Sequence, residues 1–102
     1  MKIAWLFEAQ NEYRDQLSYY KTKVGSKYAT VFARKILSAV RQLQTFPEIG
    51  VLRQDTLMGK YGFRAIFIDY YACIYKIEND EIYIFYLTDA RKNCIYNIFG
   101  IE

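Results

Sequence analysis

The pattern of hydrophobic and polar positions changes along the chain and divides it into a helical part and a sheet part. Residues 2–7, KIAWLF, are apolar and partly aromatic, which predicts a short first strand. From Glu8 onward, apolar residues recur every three or four positions, which predicts an amphipathic helix over about residues 8–23. Gly25 is predicted to end this helix, since a glycine often follows the last turn.

A second helical stripe follows, with Ser26 predicted as the N-cap of its helix. The apolar positions that define the stripe are Ala29, Phe32, Ala33, Ile36, Leu37, Val40 and Leu43. The helix is predicted to stop at Phe46-Pro47, because the residue before a proline is pushed out of the α region. Since only one or two residues separate the two helices, they are predicted to fold back as an antiparallel hairpin with a shared apolar face.

Residues 47–62 carry the only proline and three of the five glycines, which predicts a loop that crosses from the helices to the sheet. Ordered loops of this length are often functional or contain short structure of their own. The candidate residues on it are Arg53, Lys60 and Tyr61. The alternative is a plain connector whose apolar side chains fill the core, namely Ile49, Val51 and Leu52.

Residues 61–92 are dominated by Ile, Tyr and Phe, which suit a pleated, half-buried surface. Breaks are predicted at a tight turn near Asp69 and at a polar turn over residues 78–81. The three predicted strands cover roughly residues 63–68, 71–77 and 82–88. Short connections make them antiparallel neighbours. The apolar residues 93–102 are predicted to pack against the open edge of the final strand.

Composition and charge limit the functional classes to which the chain can belong. The chain has 102 residues, 53% of them hydrophobic, which predicts one folded domain over residues 1–102. No segment resembles a membrane span or a signal peptide, so a cytoplasmic location without a membrane partner is expected. The net charge is +3, with eight Lys and Arg against four acids up to Gly50 and six against seven from Val51 onward. The basic helical part either attracts an anionic partner or is simply a solvated surface.

Cysteine and histidine content excludes several kinds of site. Two cysteines are too few for a disulfide framework, and a chain without histidine offers no plausible zinc site. Cys73 is predicted to be a buried thiol in a strand, and a catalytic role is not expected for it, because no imidazole is present to activate it. No cofactor or metal is predicted.

Four stretches, in this order and spacing, resemble the RelE/ParE superfamily of bacterial type II toxins. They are LQTFPEIG at 43–50, YGFRAIF at 61–67, the hairpin YACIYKIENDEIYIFYL at 71–87, and TDARKN at 88–93. The last is similar to a DTRxN-type ending of one branch, with Ala90 departing from it. The resemblance implies an α+β fold in which an N-terminal strand and an antiparallel two-helix hairpin accompany a twisted antiparallel sheet. It also implies a cognate antitoxin as partner, bound to an apolar and basic surface by an acidic, amphipathic or extended segment.

The superfamily has two target classes. RelE-like members cut messenger RNA on the ribosome with basic residues and often a C-terminal tyrosine, whereas ParE-like members poison DNA gyrase without chemistry of their own. The first hypothesis is ribosome-dependent messenger RNA cleavage, with Lys60, Arg64, Arg91 and Tyr96 as the candidate catalytic residues and Lys92 beside them. The second is gyrase inhibition, and the third is a toxin fold kept for binding or plasmid maintenance after toxicity was lost.

Each candidate residue also has a structural interpretation. Arg64 suits bidentate contact with a phosphate, but it is equally expected to form an ion pair with Asp69, Asp89 or Glu48. Arg91 is less useful to a phosphate if Asp89 neutralises it. Lys60 is alternatively a solvated loop lysine, and Tyr96 a packed core residue.

Overall fold

The computed structural model describes residues 1–52 and 54–91. Its elements, in chain order, are β1 (Lys2–Trp5), α1 (Phe7–Tyr19), a π-helical turn (Tyr20–Val24), α2 (Ser26–Thr45), α3 (Leu57–Lys60), β2 (Phe63–Ile68), β3 (Tyr71–Glu78) and β4 (Glu81–Asp89). The predicted strand, helical hairpin and three-strand meander are confirmed, and the strand bounds agree with the prediction to within one residue at most ends. The predictions for Tyr96, Lys92, Arg53 and the terminal segment fall outside the described residues.

The four strands form one sheet in the order β1-β4-β3-β2. The meander is antiparallel as predicted, but β1 pairs with β4 in parallel, so the sheet is mixed. Because β1 covers one side of β4, the final strand lies inside the sheet. The prediction that the last strand forms an open edge is therefore wrong, and within the described residues β1 and β2 are the outer strands of the sheet.

Two tight turns set the register of the meander. Asn79 and Asp80, between β3 and β4, both have positive φ, at 52° and 61°. Asp69, between β2 and β3, also has a positive φ of 53°. Asn and Asp tolerate the left-handed region better than other non-glycine residues, and two successive positive φ values suit a two-residue hairpin. The polar turn residues therefore start each hairpin in register, and the β3–β4 pairing then shifts by one residue between Ile74 and Tyr75.

Gly25 makes the turn between the helices. Its φ of 140° lies where side chains are strained, so glycine suits this position. Its carbonyl accepts the backbone N–H of Ala29 at 3.1 Å, which makes Gly25 itself the N-cap of α2. The predicted N-cap, Ser26, is instead the first helical residue, and no side chain caps this end.

The main core lies between the helices and one face of the sheet. Buried side chains from α2, β3 and β4 form it, chiefly Phe32, Ile36, Val40, Leu43, Cys73, Tyr75, Ile84 and Leu87. Trp5, Tyr13 and Leu17 pack against it from β1 and α1. Most of the predicted α2 stripe is thus buried, but Ala33 is only half-buried and Leu37 is exposed. Leu37 is 44% exposed, because the stripe is wider than the surface that the sheet covers.

The second face of the sheet is partly covered by α3. Met58 packs against a small cluster of Ala65, Ala72 and Ile74 on this face. Lys60, predicted on a loop, is the last residue of α3. The prediction that the connector fills the core is wrong for Ile49 and Val51, which are more than half exposed. Within the described residues, no helix is both long enough and apolar enough to cross a membrane.

Candidate functional site

Tyr75 and Arg64 together hold the loop that follows α2. The two residues face each other across β3 and β2, so their side chains lie on the same face of the sheet. The Tyr75 hydroxyl donates to the carbonyl of Pro47 at 2.7 Å and accepts the backbone N–H of Gly50 at 2.9 Å. The Arg64 guanidinium donates to the carbonyls of Glu48 and Gly50 at 3.2 and 3.0 Å. These four hydrogen bonds form a clamp on residues 47–50.

Gly50 fits the clamp only because it lacks a side chain. A Cβ at this position would lie 2.5 Å from the Tyr75 hydroxyl, well inside van der Waals contact. The next residue, Val51, exchanges two backbone hydrogen bonds with Ala65 of β2, at 2.9 and 3.1 Å. The loop is therefore fixed along the edge of the sheet, and the Arg64 guanidinium is one of the groups that fix it.

Arg91 is engaged by Asp89, as one sequence interpretation predicted. Its Nε and Nη2 donate to the two carboxylate oxygens at 3.0 and 2.7 Å, and its backbone N–H adds a third hydrogen bond at 2.9 Å. The guanidinium also lies 4.4 Å from the centre of the Tyr70 ring. These hydrogen bonds raise the pKa of Arg91, so the guanidinium keeps its charge. The N–H groups with which Arg91 would bind a phosphate in a bidentate manner are already bonded to Asp89, and its guanidinium is stacked on the Tyr70 ring.

The candidate cations do not converge. Arg64 lies beside Tyr75, whereas Asp89, the partner of Arg91, lies beside Tyr71. Four residues along β3 and two strand spacings separate the Cα atoms of Arg64 and Asp89 by roughly 16 Å. Lys60 is exposed at the end of α3, which covers the opposite face of the sheet. The catalytic roles predicted for these residues stay predictions, but the described residues do not form a single cationic pocket.

The buried cysteine and tyrosine side chains are poorly suited to act as general bases. Burial and the nearby charge of Glu12 raise the pKa of the Cys73 thiol to about 12, and the thiol is buried as predicted. Burial also raises the pKa of Tyr75. Tyr71, whose hydroxyl lies 3.0 Å from Gln16 Oε1, has a pKa raised by burial and by its hydrogen bond with Tyr20. Each group is therefore held in its neutral form at neutral pH.

Sequence reasoning missed two residues that organise the site. Tyr75 was seen only as part of a strand, although a tyrosine in a buried strand needs a partner for its hydroxyl. Glu12 was seen only as the polar side of a helix, but its Oε1 accepts the backbone N–H of Leu87 at 3.0 Å, beyond the end of the β1 pairing. The helical period gave no signal for this contact, because the partner is 75 residues away in the chain.

Comparison with known proteins places this fold. A family model described as "ParE toxin of type II toxin-antitoxin system, parDE" matches residues 3–93. Among solved structures, a chain from the "Chromosomal ParDE TA system from P. aeruginosa" aligns with a TM-score of 0.72 at 19% sequence identity. The alignment covers 87% of this chain and 95% of that chain. A search of curated proteins finds no significant match.

The two matches support conclusions of different scope. The structural likeness, at 19% identity, supports the fold alone. The family match extends over nearly all of the chain and includes every strand and helix described above. The superfamily resemblance inferred from the four sequence stretches is confirmed, and the chain belongs to the ParE toxin family of type II toxin–antitoxin systems.

Proposed function

We propose that this toxin acts by binding and poisoning DNA gyrase, is neutralised by a cognate antitoxin, and does not cut messenger RNA. The supporting observation is the state of its two sheet arginines. Arg64 is engaged by the carbonyls of residues 48 and 50, and Arg91 by the carboxylate of Asp89. ParE-like toxins, as the family resemblance implies, need no catalytic groups of their own.

RNA cleavage would require several groups at one place. Attack by a 2′-hydroxyl needs a base, cations near the phosphorus and a proton donor for the leaving oxygen. The chain contains no histidine, and the raised pKa values of Tyr71, Tyr75 and Cys73 disfavour their ionised forms. The Cα atoms of Arg64 and of Asp89, the partner of Arg91, are roughly 16 Å apart by strand geometry, and both guanidinium groups are already engaged, so the two cations would not hold one phosphate together. These features favour a toxin that works through surface contacts.

The experiment compares the two targets in the same cells. The toxin is expressed without antitoxin while cleaved transcripts are mapped and DNA breaks are measured, and the purified protein is added to gyrase in a supercoiling assay. The expected result is gyrase-dependent DNA breakage and loss of supercoiling, with messenger RNA intact. Transcripts cut within ribosome-bound codons, with supercoiling unaffected, would instead establish the ribonuclease hypothesis. Normal growth of the expressing cells, with transcripts intact and supercoiling unaffected, would favour the non-toxic binding remnant.

An arginine variant separates mechanism from architecture. The double variant Arg64→Ala and Arg91→Ala removes both proposed phosphate-binding groups, and thermal unfolding reports any loss of fold. If the toxin works by binding, a folded double variant still inhibits gyrase. A folded variant that has lost all toxicity, while Arg41→Ala retains it, would contradict the proposal and support a direct role for the sheet arginines.

A further inference from the structure

The outer side of the helical hairpin carries half of the cationic side chains of the protein. Between residues 14 and 41, seven Lys and Arg stand against one acid, Asp15. Lys35 pairs with Asp69 at 2.9 Å. Within the described residues, the other six cations are exposed and form no ion pair, namely Arg14, Lys21, Lys23, Lys27, Arg34 and Arg41. A surface with this density of positive charge attracts a polyanion.

We propose that this surface binds duplex DNA through its phosphate backbone and without sequence preference. The inference goes beyond the proposed function, because it concerns a second ligand at a surface that has no part in the clamp or in the Arg91 ion pair. A groove between the two helices forms its centre, with a volume of about 810 Å³. Lys21, Arg34 and Arg41 line the groove and Arg14 lines an adjoining hollow, while in the described part of the chain no acidic residue lines either.

The cations along the groove repeat every seven residues. Lys27, Arg34 and Arg41 form one row on α2, and Arg14 and Lys21 form a second row on α1 and the π-helical turn. Since seven residues make about two helical turns, each row keeps to one side of its helix, with its cations about 10.5 Å apart along the axis. The α2 row is about 21 Å long, which corresponds to roughly six phosphates of one DNA strand.

The separation of the two rows suits the B-form duplex. Packed helices have their axes about 8–10 Å apart, and the two grooves of B-DNA are about 6 and 12 Å wide. The two rows can therefore contact the backbones on the two sides of one DNA groove. An RNA duplex has a deep, narrow major groove and a wide, shallow minor groove, so its backbones fit the two rows less well.

The lining of the groove favours duplex DNA over a protein or a single strand. Ala29 and Ala33 leave room for a backbone, and the hydroxyls of Ser26 and Ser38 suit phosphate oxygens. Among the described residues that line it, Leu37 is the one large apolar side chain that is exposed, whereas the centre of a protein interface is apolar and poor in charge. These residues include no aromatic ring, so unpaired bases would have no ring on which to stack.

The test is a titration of the purified toxin, without antitoxin or gyrase, into two DNA duplexes of unrelated sequence. Each duplex has about 20 base pairs, more than the roughly six that the α2 row spans. Fluorescence anisotropy gives the binding constant at several salt concentrations. Both duplexes are expected to bind with similar affinity. The logarithm of the binding constant is expected to fall with the logarithm of the salt concentration at a slope of about −4 to −5, as five phosphate contacts predict.

Two pairs of substitutions separate the groove from the net charge. Arg34→Gln with Arg41→Gln is expected to lower the affinity for DNA about 10- to 100-fold and to make the salt slope less steep by about two. The control, Lys2→Gln with Lys60→Gln, removes the same charge outside the hairpin and is expected to change the affinity less than about threefold. Thermal unfolding checks that both variants are folded, and Arg34→Lys with Arg41→Lys is expected to retain most of the binding.

Four results would each overturn the proposal. Absence of binding at low salt would mean that the cations form only a solvated surface, and an equal loss in the control would mean that net charge alone is measured. Tighter binding to single-stranded DNA or to an RNA duplex would assign the surface to another nucleic acid. Competition by polyglutamate as strong as that by DNA, at the same concentration of charge, would assign it to an acidic polypeptide. Since the titration contains no gyrase, failure of the gyrase proposal would leave this result intact, and the reverse also holds.

Discussion

The cations of the helical part and those of the sheet part differ in what surrounds them. Up to Gly50, the groove cations Lys21, Arg34 and Arg41 have no ion pairs within the described residues. From Val51 onward, Arg64 and Arg91 are held by hydrogen bonds from their own chain. Arg64 and Arg91 therefore fasten the fold, whereas Lys21, Arg34 and Arg41 remain available to a partner. Lys35 is the exception in the helical part, because it pairs with Asp69 at 2.9 Å.

This difference shows why net charge alone is a poor guide to a binding surface. The sheet part contains the arginines that resemble a phosphate site in the sequence, but internal acceptors already satisfy them. The helical part has the less specific pattern, but its cations border an open groove. The availability of a cation's hydrogen-bonding geometry decides its function, and only the tertiary structure gives that information.

The largest expected effect comes from removing the centre of the sheet-side clamp. Tyr75 is completely buried, and its hydroxyl binds the loop at two points. Tyr75→Ala is expected to lower the free energy of unfolding by about 3–5 kcal/mol, in the range for large-to-small aromatic changes. Tyr75→Phe keeps the ring and is expected to cost about 1–3 kcal/mol, because it leaves the buried N–H of Gly50 without its partner. Urea unfolding measures both.

The matched change in the helical part is Tyr28→Ala, at a tyrosine that is 58% exposed. It is expected to change the free energy of unfolding by less than about 0.5 kcal/mol. If Tyr75→Phe were as harmless as this control, the hydroxyl would not be holding the loop, and the proposed clamp would be wrong.

The second effect concerns Glu12, an acidic residue of α1 whose carboxylate accepts a hydrogen bond from the sheet. Glu12→Ala removes the acceptor of the Leu87 N–H and is expected to cost about 2 kcal/mol, the penalty for an unpaired buried donor. Glu12→Gln retains an acceptor oxygen and is expected to cost less. Glu8→Ala, one turn earlier and exposed, is the control and is expected to change stability by less than about 0.5 kcal/mol. Equal costs for Glu12→Ala and Glu12→Gln would show that the charge, and not the acceptor, matters.

A third, smaller effect compares one engaged cation with one groove cation. Arg64→Ala removes two hydrogen bonds to loop carbonyls and is expected to cost about 1–2 kcal/mol, given that the side chain is partly exposed. Arg41→Ala is expected to cost less than about 0.5 kcal/mol in stability while weakening DNA binding. Thermal unfolding and a DNA titration on the same two variants give the comparison. Similar stability losses would mean that the two parts do not differ as described.

The sequence predicted the meander well because each of its signals is local. Strand residues, the Asn79-Asp80 turn and the Gly25 helix end are all recognised within a few positions. The parallel pairing of β1 with β4 was not predictable, since it joins residues about 80 positions apart without a local pattern. The partners of Arg64 were missed for a related reason. They are backbone carbonyls, and every residue has one, so no residue type in the sequence marked them.

The groove was not predicted from the sequence, because a stripe of apolar positions on a helix does not show how much of that stripe the other elements cover. Leu37 has the same spacing as Ile36 and Val40, and the sequence assigned all three to the core. In the fold, Ile36 and Val40 are buried and Leu37 is exposed. The charge excess up to Gly50 was the available signal, and it became specific only when the fold placed Arg34 and Arg41 beside Leu37.

The smallest expected effect is a pH dependence that originates in the sheet interior. The pKa of Cys73 is raised from 9.0 to about 12, so the unfolded thiol loses its proton before the folded one. The stabilisation is complete below about pH 9 and is lost as the pH rises towards 12, at up to about 1.4 kcal/mol per pH unit. Between pH 8 and 10 the loss that this thiol causes is expected to be about 1.4 kcal/mol. Urea unfolding under reducing conditions should show this slope, and Cys73→Ala should reduce it, leaving the smaller part that arises from the raised pKa values of Tyr71 and Tyr75.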